Sequence, residues 1–352
     1  MVTLLRRLSR RPRRVHTHRS RRFVRIDWYG LCSCGETQRE KRIVTLLFLK
    51  HVTHYLYAQP VALGEQRIMV RPLESYDQRL LDAELTITPT PLEVRWLQDV
   101  FGNAVAIARF GKRSRELRIE STVRMEHLPV RHKDIQIESY AQRYPFTYSS
   151  EDMPDLIRSI ERGHHDPERV IDDWARQFIR QKRTTETLPM LMEMTATIRR
   201  EFTYFARFQK GTQTPIETIQ KKQGTCRDFA VLMIEAARAL GLAARFVSGY
   251  LYDPDRTIAH VGGGNTHAWV RIFMPGSGWV EFDPTNGIVG NRGLIRVAVA
   301  RDPYHVVPIS GTWRGFPSDN LGMNVSVEVR CEAAPEDASV PDAKTSGGQK
   351  PA

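Results

Sequence analysis

A thiol, an imidazole and a carboxylate follow one another along the chain as Cys226, His267 and Asp283. Such a set can supply a nucleophile, a base that activates it and a carboxylate that orients the base. Cys226 is the single cysteine inside the body of the chain, since Cys32, Cys34 and Cys331 lie towards its ends. An isolated internal cysteine with His and Asp downstream is a candidate nucleophile. Metal chemistry has no comparable support. Cys32-Ser33-Cys34 lacks a second ligand pair at metal spacing and no HExxH pattern occurs, so neither a metal nor a cofactor is expected. Gly262-Gly263-Gly264 is followed by neither Lys-Ser/Thr nor a helix start, which argues against a phosphate loop. His51 and His54 fall in a β-rich segment and His164-His165 precede a helix; all four are expected to be structural or solvated.

Local sequence sets where the three groups stand. Thr225 suits an N-cap, and Asp228 three residues on completes a capping box. A helix is therefore predicted from Cys226 to Leu240, with Gly241 as its stop and Phe229, Leu232, Met233, Ala236, Ala237 and Leu240 on one face. Cys226 then occupies the first turn. There the helix dipole favours a thiolate, and backbone N–H groups left unused by the helix form an oxyanion site. His267 opens a predicted strand to about Ile272, and Asp283 ends the next, from Trp279. If His267 and Asp283 face each other across an antiparallel pair, Trp269 faces Glu281, Arg271 faces Trp279 and residues 272–278 form the connection. Asp283 would hold one imidazole nitrogen and leave the other for the Cys226 sulfur.

The remaining elements divide the chain. Its 352 residues allow two or three domains at ~100–200 residues each. Strands are predicted at 44–52, 85–88, 93–98, 104–110 and 117–125, which makes 44–130 a β-rich first domain. Gln59-Pro60 and Gly64 punctuate the segment after the first strand. Helices are predicted at 153–161, after Asp166-Pro167, and at 189–201, so 131–187 reads as a helical linker. The core with the three groups spans 188–331 and includes strands at 244–252 and 294–300. Residues 1–43 and 332–352 are expected to be disordered, the first rich in Arg and the second in Ala, Pro, Ser and Gly. The loop 253–266 is expected to border the thiol cleft.

Charge is misleading when taken over the whole chain. The net charge is +12, but residues 1–43 contribute +10 of it and the body only +2. A basic nucleic-acid-binding body is thereby excluded. The apolar runs are too short to span a bilayer. Leu4-Leu5 is followed at once by arginines rather than by the apolar stretch of a secretory signal, so a cytoplasmic protein is expected.

Four motifs carry a family resemblance: Gly224-Thr225-Cys226-Arg227-Asp228, then Arg245-Phe246-Val247-Ser248-Gly249-Tyr250, then Thr266-His267-Ala268-Trp269, then Glu281-Phe282-Asp283-Pro284-Thr285-Asn286-Gly287. In this order they resemble the bacterial transglutaminase-like superfamily. His51-Val52-Thr53-His54-Tyr55-Leu56-Tyr57, with Pro60-Val61 and Arg71-Pro72, resembles the β-rich region that precedes the core in that family. The resemblance implies an α+β, papain-like core, with a Cys-bearing helix packed on an antiparallel sheet, behind a β-rich N-terminal domain. It implies Cys226 as nucleophile, His267 as base and Asp283 as orienting carboxylate. Arg227, where many members have Gln, and Arg301-Asp302-Pro303-Tyr304, where Arg-Asp-Tyr is commoner, depart from the pattern. The expected activity is a cysteine protease or amidohydrolase working through a thioester on a peptide or protein amide, with no nucleic acid or membrane required. The alternatives are a true protein-glutamine transglutaminase and a catalytically idle binding module.

Overall fold

Alternating burial along one long strand organises the first half of the protein. The computed structural model describes residues 44–181, 183–206, 211–252 and 266–332. The Arg-rich extension, the triple glycine of the loop before His267 and the tail from residue 333 lie outside the described residues. Strand β1 runs Thr45–Ile68 with Leu47, Leu49, His51 and Thr53 buried on one face. It passes through Gln59-Pro60 and Gly64 without ending. Its register against neighbouring strands shifts between Leu56 and Val61 and again between Leu63 and Gln66. Such irregularities absorb a proline that cannot donate to a ladder.

Strands β2 (Gln78–Thr88), β3 (Glu93–Gln98), β4 (Ala104–Arg109) and β5 (Arg113–His127) join β1 in the order β2-β5-β1-β4-β3. Four helices follow: α1 (Met153–Ile160), α2 (Val170–Arg176), α3 (Thr187–Glu201) and α4 (Pro215–Lys221). Helix α2 begins later than Asp166-Pro167 suggests. Asp166 instead caps it from outside, accepting from the Ile171 and Asp172 amides at 3.0 and 3.1 Å.

Helix α5 (Cys226–Ala239) is the centre of the second half. Only Arg227 and Ala239 escape burial along it, so its buried surface is wider than the single predicted face. Strands β6 (Ala244–Leu251) and β7 (His267–Met274) cover one side of α5, and α2 and α4 pack on it as well. A helix buried nearly all round must be wrapped this way, with its buried Glu235 and Arg238 paired to each other. With β8 (Gly278–Asp283), β9 (Ile288–Val289) and β10 (Leu294–Ala300), these strands form an antiparallel sheet in the order β9-β8-β7-β6-β10.

The β7–β8 hairpin corrects the expected register by two residues. Arg271 faces Glu281 and Phe273 faces Trp279, so β7 runs on to Met274 and only Pro275, Gly276 and Ser277 make the turn. Gly276 at φ 89° and Gly278 at φ 67° supply the left-handed backbone that so tight a connection requires. Because side chains alternate with period two, a shift of two residues leaves His267 and Asp283 on the same face.

The chain then returns to its starting sheet. Strands β11 (Ile309–Arg314) and β12 (Asn320–Cys331) pair antiparallel with β1, not with the sheet that bears His267. Residues 309–331 thus complete the first sheet, although the linear division of the sequence groups them with the core.

The two sheets share one apolar cluster, in which Leu47, Leu49, Val123 and Met125 meet Phe229, Leu232 and Phe246. Polar ties reinforce it. His51 Nδ1 bonds the Tyr250 hydroxyl at 2.7 Å, and His127 Nδ1 bonds the Tyr252 hydroxyl at 2.8 Å. Burial lowers both imidazoles to a pKa of about 4. These histidines are neutral packing groups. The strongest tie is Arg296 of β10, whose guanidinium donates to Asp77 Oδ2 at 2.9 Å, Glu281 Oε1 at 2.8 Å and Ser75 Oγ at 2.7 Å. It also donates to Asp77 Oδ1.

Removing the guanidinium takes from buried Asp77 its one paired cation among the described residues and leaves Glu281 only Arg271. Arg296→Ala is expected to lower unfolding stability by about 3–5 kcal/mol. Arg296→Lys should recover only part, because an ammonium cannot reproduce the fork. Urea unfolding monitored by tryptophan fluorescence measures both; a midpoint unchanged in Arg296→Ala would refute the tie.

Candidate active site

The nucleophile's place is set by backbone capping. Thr225 is the N-cap of α5 and its hydroxyl accepts from the Asp228 amide, while Asp228 Oδ2 accepts from the Thr225 amide at 2.8 Å. This is the predicted capping box. Asp228 does more than cap: its Oδ1 accepts from the Gln213 amide at 2.6 Å and so fastens the segment before α4 to the start of α5. Gly224 leaves room for this carboxylate, since a Cβ there would sit 2.9 Å from Asp228 Cβ. Cys226 is the first helical residue and is 7% exposed, at the edge of the core.

His267 and Asp283 are buried more deeply, at 1% and 0% exposure. His267 Nε2 donates to Asp283 Oδ2 at 2.8 Å. With the carboxylate ionised, the proton must lie on Nε2, which leaves Nδ1 for the thiol. Nδ1 closes no hydrogen bond of good geometry among the described residues. Even so, the Cys226 thiol is close enough to act on the imidazole electrostatically. A loose thiol–imidazole contact is common where no substrate is bound. The structure therefore brings together all three residues that the sequence singled out.

Several supporting residues were not singled out. Trp269 stacks on the His267 ring at 5.9 Å between centroids and 26° between planes. Gly249 makes this possible, because a Cβ there would stand 2.5 Å from the Trp269 ring. Asn286 Nδ2 donates to Asp283 Oδ2 at 2.9 Å. Tyr204 lies beside Gly224 in a two-residue parallel ladder, and its phenol is raised by burial and by the neighbouring Cys226 and Asp228. No local pattern marks Tyr204, whose contacts are made only in the folded chain, whereas Asn286 stands in the motif that follows Asp283 and shows its role only in the contact it makes. The two departures from the family pattern also meet: Arg227 lies over the Phe246 ring and donates to the Pro303 carbonyl at 3.4 Å.

Burial alone would lower the His267 pKa. The Asp283 carboxylate outweighs it, with the Cys226 thiol adding to the effect, and the ring is raised to about 10. Burial would likewise raise Asp283, but His267, Asn286 and the Thr285 amide hold it below 3.8. The raised histidine contributes stability fully below pH 6.5 and loses that contribution as pH rises towards 10. The depressed carboxylate contributes above pH 3.8 and loses its share as pH falls through its lower folded value. Both partners are thus charged across neutral pH. The His267 ring is expected to keep imidazolium nitrogen shifts from about pH 5 to about pH 8, the range in which a free histidine titrates. Long-range nitrogen NMR checks this, and a midpoint at 6.5 would contradict the pairing.

Comparison with known proteins bears on the fold that carries these residues. Residues 172–284 match the transglutaminase-like superfamily, and residues 47–126 match the bacterial transglutaminase-like N-terminal region. An uncharacterized protein of Mycobacterium tuberculosis is 29% identical over 291 residues, covering 79% of this chain and 90% of its own. A protein-glutamine gamma-glutamyltransferase of Pseudomonas aeruginosa is 34% identical over 105 residues, 27% of this chain and 16% of its own. The crystal structure of a candidate cysteine protease from Cytophaga hutchinsonii superposes with a TM-score of 0.63 at 19% identity, covering 83% of this chain and 92% of that one. The chain therefore carries a transglutaminase-like superfamily core preceded by a bacterial transglutaminase-like N-terminal region.

Proposed function

We propose that this protein is a thiol enzyme that cleaves amide bonds in peptides or proteins through a Cys226 thioester. The observation that carries the reading is His267, held on Asp283 at 2.8 Å while its other nitrogen is left for a thiol at the first turn of α5. The thiolate attacks the amide carbonyl. The developing oxyanion is met by backbone N–H groups that the first turn of a helix leaves unused. His267, as imidazolium, gives its Nδ1 proton to the departing amine as the C–N bond breaks. The neutral ring then takes a proton from water, whose oxygen attacks the thioester; the acid leaves and the thiol is restored.

Hydrolysis is the first reading because water needs no binding site of its own. The Cytophaga hutchinsonii protein of like fold, described as a candidate cysteine protease, supports it. Amine transfer is a second reading, favoured by the match of 105 residues to a protein-glutamine gamma-glutamyltransferase. In that case a primary amine, not water, resolves the same thioester.

A peptide-library digest run with and without added primary amine separates the two, since product mass reports acid or amide. Cys226→Ala is expected to abolish turnover and leave the fold intact; wild-type turnover in that variant would overturn the nucleophile. Asp283→Asn is expected to lower kcat by about 10^4-fold, because an amide NH2 turned towards Nε2 selects the wrong imidazole tautomer. An unchanged rate would leave Asp283 only its role in the turn, where Oδ1 accepts from the Thr285 amide at 2.9 Å.

A further inference from the structure

The Asp283 carboxylate is fully enclosed, and among the described residues it accepts four hydrogen bonds. Oδ1 accepts from the Thr285 amide at 2.9 Å and the Asn286 amide at 3.4 Å. Oδ2 accepts from His267 Nε2 at 2.8 Å and from Asn286 Nδ2 at 2.9 Å. Among the described residues, Asn286 is thus the one side chain besides the imidazole that grips the orienting carboxylate. Its Nδ2 also lies 3.5 Å from His267 Nε2, so it flanks the very bond that sets the tautomer.

The turn that presents Asn286 is itself held from outside the sheet. The Gly287 amide donates to the Asp283 carbonyl at 2.8 Å, with Gly287 at φ 71°. Arg199 of α3 donates to the Asn286 carbonyl. A Cβ on Gly287 would approach Arg199 Cδ to 2.9 Å, which shows how closely that arginine lies along the turn.

We propose that Asn286 is a positioning residue for the candidate triad, its amide locking the Asp283 carboxylate onto His267, with Arg199 locking Asn286 in turn. This rests on reading Cys226, His267 and Asp283 as an amide-cleaving set. Rotation of the carboxylate would break the contact with Nε2. The Thr285 amide restrains one oxygen from the main chain, and Asn286 restrains the other. Being neutral, Asn286 supplies a donor without a second cation to compete with the imidazolium. It also helps keep a buried carboxylate ionised. The groups facing Asp283 are His267 from β7 and Thr285 and Asn286 from the turn, with Cys226 of α5 beyond the ring.

The test uses Asn286→Ala, Asn286→Ser and Arg199→Met in the full chain. Two quantities are read: kcat and KM on a peptide found in the digest, and the pH titration of the Asp283 carboxyl carbon by NMR. In Asn286→Ala, kcat should fall about 10- to 100-fold, the cost of a lost hydrogen bond to a charged group, with KM unchanged. The carboxyl carbon should titrate at higher pH than in the wild type, a change that a merely structural residue would not cause. Asn286→Ser keeps a donor and should recover part of both effects. Arg199→Met should move both in the same direction by less. A folded Asn286→Ala with wild-type kcat and carboxyl titration overturns the proposal. If Asn286→Ala does not fold, Arg199→Met decides, and no movement of either quantity overturns it. Should the wild type cleave no amide at all, the proposed function fails by itself, while the carboxyl titration still judges the role of Asn286.

Discussion

An ionised imidazole–carboxylate pair sealed away from water is the constraint around which the rest of the core is arranged. Asp283 has no exposed surface and His267 almost none. A charge so placed is tolerable only when partners replace the lost solvent. Bulk water cannot help, so the backbone of the 283–287 turn and the Asn286 amide supply the donors. The same requirement explains the flanking packing. Trp269 covers the imidazole, and Gly249 is small because the indole needs its space. The thiol, 7% exposed, stands at the start of a helix that is itself almost wholly buried.

The N-terminal sheet belongs to this arrangement as much as the core does. Glu281 lies two residues before Asp283 on β8 and shares Arg296 with Asp77 of the first domain. The strand that delivers the carboxylate is thus anchored from both sides. Arg271, opposite Glu281 on β7, lies 3.2 Å from the same carboxylate and extends the cluster across the hairpin. Neutral His51 and His127, each bonded to a tyrosine on or just beyond β6, close the interface without adding buried charge.

Much of the site was legible from residue types alone. Thr225 and Asp228 mark the start of α5 through a local capping pattern, and strand ends at Asp283 and at 294–300 follow from alternation and turn residues. The β7–β8 register was not legible, because it depends on how tightly Pro275, Gly276 and Ser277 turn, and two glycines at positive φ permit a tighter turn than the sequence pattern suggests. Continuity of β1 through Pro60 was hidden for a similar reason: the register shift that accommodates the proline is a property of the neighbouring strand. Arg199 was beyond reach, since its meeting with the Asn286 carbonyl joins α3 to a turn 87 residues away.

The return of the chain to β1 has a consequence for how the protein is made. β1 is synthesised first among the described elements, yet β11 and β12, which cover its second edge from Leu47 to Tyr57 and from Ala62 to Ile68, are synthesised last. A nascent chain that has already emerged through His267 and Asp283 still presents that edge unpaired, open to the wrong strand. Pairings of such long sequence separation form slowly. The first sheet therefore cannot reach its final width until β12, made long after the other strands of the N-terminal half, has left the ribosome.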